Sequence, residues 1–266
     1  MSNKTQIPRV VVSPAGVSHL YQRNSWSGMW WSVALPGLGH LFLGQTMKGL
    51  LLMTWEILIN TMAHLNLAIF HTVRGEYALA AQVINPQWAV LYPMVYIFAI
   101  IDAYRVGVDS SRLLQMEKLQ KHRRFDRISI SGSGVYAPNI RLPLMAAFWS
   151  LGSVGLGQLY CSKTLKAVVL TAWYLVILFK SGFSLAVYYT AVGRFDLVGQ
   201  VVDYQWLLFW PSIYIFGICD SYDDTVEQNN ISREAFRYRM RKYLKNEDAR
   251  KGARLYAGSP TRVPPQ

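Results

Sequence analysis

Residues 93–104 read PMVYIFAIIDAY, and residues 211–222, which lie 118 positions later, read PSIYIFGICDSY. The proline, the Tyr-Ile-Phe run, the aspartate and the closing tyrosine return at the same places. Two unrelated apolar runs would not keep a charged residue at one fixed position. The paired stretches therefore indicate an internal duplication, and each copy is expected to carry the same fold.

The same offset relates the whole of residues 31–104 to residues 149–222, with 27 identities in 74 positions and no gap. We call residues 29–108 the first block and residues 142–226 the second block. The residues that recur include glycines of a Gly-Leu-Gly turn, a lysine and an aspartate, namely Gly37, Gly39, Lys48 and Asp102 in the first block and Gly155, Gly157, Lys166 and Asp220 in the second. We expect these eight residues to shape the repeated fold.

Composition favours a membrane protein. Of the 266 residues, 52% are hydrophobic and only 16% are charged, whereas soluble domains average roughly 25% charged residues. With two cysteines, Cys161 and Cys219, the chain has no disulfide scaffold. These values also exclude a disordered chain and a coiled coil.

The cations gather outside the blocks. The chain has 27 lysines and arginines against 15 acidic residues. Most of the cations lie in an N-terminal tail (1–28), a linker (109–141) and a C-terminal tail (227–266). Because basic segments stay on the cytoplasmic side of a membrane, all three are predicted to be cytoplasmic. Each block then crosses the cell membrane an even number of times. Nucleic acid is disfavoured as a partner, because the basic stretches alternate with uncharged loops in the order that insertion requires.

Each block has three apolar segments, which in the first block are residues 29–43, 48–70 and 88–102. The first segment is interrupted at Pro36-Gly37, so we expect a short re-entrant or interfacial helix there. The other two are predicted to be transmembrane helices. The expected fold class is an all-α integral membrane protein of two tandem parallel repeats with four crossings. Six crossings are the alternative if the first segments also cross.

These motifs resemble those of the TM2-domain family. The resemblance is carried by Gly39-His40-Leu41-Phe42-Leu43-Gly44 before a first span and by Ile100-x-Asp102-x-Tyr104 after a second, and it recurs in the second block. Leu35-Pro36-Gly37-Leu38-Gly39 is similar to the PGxGQ entry of bacterial members. The chain departs from the family at Ser162, which replaces a motif glycine, and it lacks the Asp-Arg-Phe signature of animal members. The resemblance implies a fold and a bacterial inner-membrane location rather than an activity.

The second apolar segment carries Glu56, Asn60 and His64 at four-residue spacing, which places them on one helix face. Ionisable groups within a span usually face an interior or a cavity, so these residues are a candidate intramembrane polar site. Lys180 is a further member if it pairs with Glu56 across the blocks. The site would serve as a proton or ion pathway, or its members would act only as hydrogen-bonding contacts between helices.

Other candidate residues are assigned structural or surface roles. Lys48 and Lys166 are expected to pair with Asp102 and Asp220 within each block. No catalytic, cofactor-binding or metal-binding constellation stands out, so no cofactor and no enzymatic activity are predicted. Contacts with anionic lipid headgroups are predicted for basic side chains of the linker and the tail, namely Arg123, Arg124, Arg237, Arg241 and Lys242.

The predicted function is a non-enzymatic structural or accessory role at the cell membrane, with both termini cytoplasmic. Residues 232–245 place Phe236, Met240, Tyr243 and Leu244 at helical spacing among six cations, a pattern typical of helices that bind anionic lipid. A membrane or cytoplasmic protein partner fits this pattern nearly as well, and a homo-oligomer is compatible with it. The alternative function is a small transporter or an ion or proton pathway between the blocks.

Overall fold

The computed structural model describes residues 10–13, 16–19, 23–120, 129–131, 134–136 and 140–257, and these residues are almost all helical, as predicted. The helices before the linker are α1 (Ser25–Ala34), α2 (Leu38–Phe42), α3 (Thr46–Ala63), α4 (Leu65–Val73), α5 (Tyr77–Val83), α6 (Pro86–Ala89) and α7 (Tyr92–Lys118). Those after it are α8 (Pro143–Gly152), α9 (Leu156–Tyr160), α10 (Thr164–Lys180), α11 (Phe183–Ala191), α12 (Phe195–Val201), α13 (Tyr204–Leu207) and α14 (Trp210–Ala257). Two short antiparallel hairpins pair β1 (Val10–Ser13) with β2 (Gly16–His19) and β3 (Ser129–Ser131) with β4 (Gly134–Tyr136).

The helix boundaries recur at the offset found in the sequence. The pairs α1 and α8, α2 and α9, α4 and α11, α5 and α12, and α6 and α13 begin and end 118 residues apart. The pairs α3 and α10, and α7 and α14, begin at the same offset. The last pair differs in length, because α7 ends at Lys118 whereas α14 continues to Ala257. The two blocks thus contain the same succession of helices.

The first apolar segment folds back on itself. Between α1 and α2, Gly37 has a φ of 100°, in the left-handed region that favours glycine. A Cβ on Gly39 would lie 1.9 Å from the carbonyl oxygen of Gly28, so a side chain there would force the two helices apart. The guanidinium of Arg23, just before α1, donates to the carbonyl oxygen of Phe42, the last residue of α2. The segment therefore starts and ends at the same level.

The corresponding segment of the second block has the same geometry. Gly155 has a φ of 103°, and a Cβ on Gly157 would lie 2.4 Å from the carbonyl oxygen of Ala146. Arg141 donates to the carbonyl oxygen of Tyr160, as Arg23 does to Phe42. Both segments are thus helical hairpins built on a close approach of two backbones.

The second apolar segment differs from the single helix expected. His64 has a φ of 57° and separates α3 from α4. The backbone N–H of Asn66, displaced from a regular helical partner by this break, donates to Oδ1 of Asn60 at 3.2 Å. In the second block, α10 and α11 meet at a bend of 60°. Neither pair is straight.

One helix in the described ranges is long and apolar enough to cross a membrane. It covers residues 86–118 with a mean hydropathy of 1.5, and only 17% of its most apolar window is buried within the protein. The bent pair of α10 and α11 passes the same test if it counts as one span. By length and composition, the described residues therefore hold one or two candidate spans. α7 also continues well past Asp102, into the stretch predicted as linker, because nothing between Asp102 and Leu119 breaks a helix.

The two blocks share one hydrophobic core. Its buried members come from α2, α3, α10 and α14 and from the turns beside these helices. The partly buried Trp31 of the first block packs edge-on against Phe216 of the second at 5.0 Å. Buried beside this core are charged side chains, among them Glu56, Asp220 and Lys166. Large apolar side chains cover the outside instead, on α3, α7, α8, α10 and α11. The described part of the protein is thus polar at several points inside and apolar over much of its surface.

Candidate functional site: two polar clusters between the blocks

A charged cluster lies where the start of α1 meets α14. Its members are Arg23, Gln158, Lys163, Lys166, Asp220 and Asp224, and none is more than 8% exposed. Nζ of Lys166 lies 2.7 Å from both carboxylate oxygens of Asp220 and 3.0 Å from Oδ2 of Asp224. Arg23 reaches the same acids, with Nη1 3.1 Å from Asp220 and Nη2 2.6 Å from Asp224. An arginine predicted to lie in the cytoplasmic tail therefore ties the start of the first block to the second.

The electrostatics of this cluster follow from crowding three cations around two carboxylates. Burial opposes ionisation of Asp224, but Lys163, Lys166 and Arg23 outweigh it and hold the pKa of that carboxyl below its usual range. Burial lowers the pKa of Lys163 to about 8, against the attraction of Asp224 Oδ1, 3.9 Å away. For Arg23 burial works in the same direction, but Asp224 and Asp220 prevail and raise its pKa. Asp224 is thus the group on which the cations converge.

The first block carries a smaller version of this cluster. Nε2 of His40 lies 2.8 Å from Oδ2 of Asp102, and the ammonium of Lys48 contacts the same oxygen. Val106 stands where the second block has Asp224, so the first block lacks the second carboxylate.

The structure brings the expected lysine–aspartate pairs together in both blocks. Lys48 contacts Asp102 in the first block, and Lys166 contacts Asp220 in the second. The two pairs occupy equivalent positions, because each residue of one lies 118 positions from its counterpart in the other. Gln158, which occupies the position of His40, donates from Nε2 to Asp220 at 3.2 Å. Each pair therefore joins the start of the second apolar segment of its block to the third apolar segment of the same block.

An amide cluster links the blocks at a separate point. Its members are Glu56, Asn60, Asn66 and Gln205, and none is more than 6% exposed. Nε2 of Gln205 donates to Oδ1 of Asn60 at 2.9 Å, and its Oε1 accepts from the backbone N–H of Leu67 at 2.9 Å. Nδ2 of Asn66 donates to the carbonyl oxygen of Gln205 at 3.0 Å. Gln205 of the second block is thereby held by three residues of the first.

Two members of the predicted intramembrane site lie elsewhere. His64 and Lys180 are both exposed, each at the end of its helix. His64 lies at the break between α3 and α4 and is exposed, whereas Glu56 and Asn60 are buried, and no ion pair joins Lys180 to Glu56. Asn60 donates from Nδ2 to Oε1 of Glu56 at 3.1 Å, while Oε2 has no partner at normal hydrogen-bond geometry. Only two of the four predicted members are therefore together.

The residues predicted to touch lipid headgroups divide into two groups. Arg237, Arg241 and Lys242 are exposed on α14, beyond Ala235, and no residue from 236 to 247 is buried. Arg123 and Arg124 lie outside the described residues.

Sequence reasoning missed Arg23, Asn66, Lys163, Gln205 and Asp224. Gln205 carried a usable signal, because Gln87-Trp88 and Gln205-Trp206 match at the offset, but only Gln205 is buried. Asp224 has no acidic counterpart in the first block and therefore left no signal in the repeat. The chemistry that this geometry supports is ion pairing and hydrogen bonding between helices. In the described ranges, no group of three or more His, Cys, Asp or Glu side chains is placed to hold a metal ion.

Neither a protein-family model, nor a curated protein, nor a solved structure matches this chain. The resemblance to the TM2-domain motifs therefore rests on the residues quoted above and stays a prediction.

Proposed function

We propose that this chain is an integral membrane protein of two parallel TM2-like repeats with a non-enzymatic accessory role at the cell membrane. The observation that carries the proposal is the inverted distribution of side chains, with charges inside and large apolar groups outside. In water this arrangement is unfavourable for two reasons. The large apolar surface stays exposed to water, and the buried charges lose their solvation. In a bilayer the same outer surface meets lipid tails as apolar as itself.

The proposed topology has four crossings, made by the second and third apolar segments of each block. The return of each first segment to its starting level supports a re-entrant hairpin rather than a fifth or sixth crossing. The basic linker then stays cytoplasmic, together with both termini. In this topology the spanning parts of α7 and α14 end at Tyr104 and Tyr222, and Asp224 lies on the cytoplasmic side.

A structural role is favoured by how firmly the two halves are joined. They share one hydrophobic core, and the charged and amide clusters link them at two further points. Two blocks held together at several points suit a scaffold, because its cytoplasmic cations then keep a fixed position relative to the spans. Arg105, one turn beyond Asp102 and 77% exposed at its side chain, is well placed to meet anionic headgroups.

One observation favours the alternative, a proton or ion pathway between the blocks. Glu56 is 2% exposed. Within the described ranges its Oε2 has no partner at normal hydrogen-bond geometry, although the Tyr92 hydroxyl interacts with this carboxyl. A buried carboxyl in a span is a candidate for the exchange of a proton or a cation. Proteoliposomes that contain the protein and an internal pH dye separate the two functions. Under the accessory role the wild type and Glu56→Gln leak protons equally slowly. A flux present in the wild type and lost in Glu56→Gln, at equal protein content, would establish the pathway instead.

The topology is tested by single cysteines in a background of Cys161→Ala and Cys219→Ser. Arg74→Cys and Arg194→Cys should react with an impermeant maleimide added outside intact cells. Ile130→Cys should react only after the membrane is opened. Labelling of Ile130→Cys in intact cells would place the linker outside and contradict the four-crossing topology.

A further inference from the structure

The extension of α14 beyond Ala235 is a feature of the second block alone. Its counterpart α7 ends at Lys118, which corresponds to Phe236 at the 118-residue offset. None of residues 236–247 is buried, and α14 runs on to Ala257 with no residue of positive φ. The extension is therefore a continuous helix, and between residues 236 and 247 it contributes nothing to the buried interior.

An apolar stripe runs along this extension. It consists of Phe236, Met240, Tyr243 and Leu244, whose exposures are 64%, 43%, 63% and 52%. At about 100° per residue, these side chains fall within an arc of about 100°. Arg237 borders one edge of the stripe and Arg239 the other. Aromatic and apolar side chains between arginines are typical of the centre of a protein interface.

The stripe is out of reach of the membrane in the topology proposed above, on which this step rests. Met240 lies 20 residues beyond Asp220, which corresponds to about 30 Å of helix, or about 23 Å at a tilt of 40°. The headgroup region extends only about 5 to 8 Å beyond the hydrocarbon. In the proposed topology Arg237, Arg241 and Lys242 therefore lie beyond the headgroups for which they were predicted.

A second copy of the chain is a poor occupant of the stripe. Between residues 233 and 247 there are six cations and two acids, Glu234 and Glu247. Two such helices packed stripe to stripe would set arginine against arginine at both borders, which disfavours association. The occupant that fits is apolar along its centre and acidic along its edges.

We propose that residues 233–247 form a docking helix for an amphipathic helix of a cytoplasmic protein. Apolar side chains of that helix cover Phe236, Met240 and Tyr243, and its acidic borders pair with Arg237 and Arg239. The interaction uses the helix-in-groove mode of recognition, with charge selecting the partner.

The test uses the full chain in nanodiscs of neutral lipid and two fluorescent synthetic peptides. Both peptides are helical with a leucine stripe; one has glutamates along its borders and the other has lysines. The glutamate peptide should bind at least about tenfold more tightly than the lysine peptide, and its affinity should fall with added salt. The double variant Arg237→Glu/Arg239→Glu should reverse this preference. Lys245→Glu, which changes a charge on the opposite face, should leave it unchanged.

Several outcomes would overturn the docking proposal. One is equal affinity for the two peptides, or a preference that the double variant does not reverse. Another is quenching of a fluorophore at position 240 by spin-labelled headgroups in anionic nanodiscs, which would make lipid the occupant. Cross-linking between two chains through position 240 would assign the stripe to self-association, and tighter binding of a short RNA would assign it to nucleic acid. Failure of the protein to enter nanodiscs at all would instead contradict the membrane placement.

Discussion

The guanidinium of Arg23 and the carboxylate of Asp224 lie 2.6 Å apart, although 201 residues separate them in the chain. Both side chains are almost completely shielded from solvent. The contact joins the segment before α1 to α14, the last helix of the second block. The relative position of the two blocks therefore depends in part on a single arginine.

Replacing this arginine should destabilise the protein markedly. Arg23→Met leaves Asp220 and Asp224 with fewer compensating charges, and removal of one partner of a buried ion pair costs about 3 to 5 kcal/mol. The matched control is Arg141→Met, because Arg141 binds the carbonyl oxygen of Tyr160 and, among the residues that the structure describes, no carboxylate at ion-pair distance. Thermal unfolding in detergent, followed by circular dichroism, should show a clearly larger loss for Arg23→Met. Equal losses would mean that the acids contribute nothing to this contact.

The amide cluster offers a comparison between two equivalent glutamines. Gln205→Leu should cost about 1 to 3 kcal/mol, because it removes the acceptor of the Leu67 backbone N–H and one donor to Oδ1 of Asn60. Gln87→Leu changes the residue at the same position of the first block, where the side chain is exposed, and should be close to neutral. Both variants can be compared by the same unfolding measurement. A neutral Gln205→Leu would show that water or a rearranged asparagine replaces the lost bonds.

The hairpin of the first apolar segment should tolerate no side chain at Gly39. In Gly39→Ala, the new Cβ would lie 1.9 Å from the Gly28 carbonyl oxygen, so we expect a loss of stability above about 4 kcal/mol or failure of the protein to accumulate in cells. Gly199→Ala is the control, because no atom lies within 4 Å of a Cβ there. That control should change stability by less than about 1 kcal/mol. Thermal unfolding of the two variants, together with their cellular abundance measured by immunoblot, provides the readout.

Acid should weaken the charged cluster through Asp224. Its pKa is held below the usual range in the folded protein, so between the folded and unfolded pKa values the unfolded chain binds more protons. The stabilisation is therefore complete above about pH 5 and is lost as the pH falls through the folded pKa. Melting temperatures measured from pH 6 downwards should decline less steeply in Asp224→Asn than in the wild type. Asp196→Asn, at a 63% exposed carboxyl, should leave the slope unchanged.

The features that the sequence predicted are those that recur. The glycines at 37 and 39 and the lysine–aspartate pairs stand at matching positions twice, and close backbone approach and charge pairing are the physical reasons for them. The break at His64 was not predictable in this way, because the second block uses Gly182 at that position. A histidine in the left-handed region is uncommon, and here the amide of Asn60 satisfies the backbone that the break exposes.

The contacts between the blocks were the least predictable. Arg23 looks like one of several cations in a basic tail, and its burial follows only from the position of α14. The pairing of Lys180 with Glu56 was a hypothesis at the limit of what two long side chains can bridge, and Lys180, the last residue of α10, is exposed instead. A repeat specifies the fold of each copy, whereas the packing of one copy on the other depends on residues that differ between them, such as Asp224 and Val106.

The shared core has a consequence for biosynthesis. A ribosome that adds about 5 to 20 residues per second needs roughly 6 to 24 s to translate an offset of 118 residues. For that time the nascent first block has no Phe216 to cover Trp31 and no Gln205 to satisfy Asn60. The first block must therefore persist without these contacts, accessible to chaperones and proteases, until the second block has been synthesised.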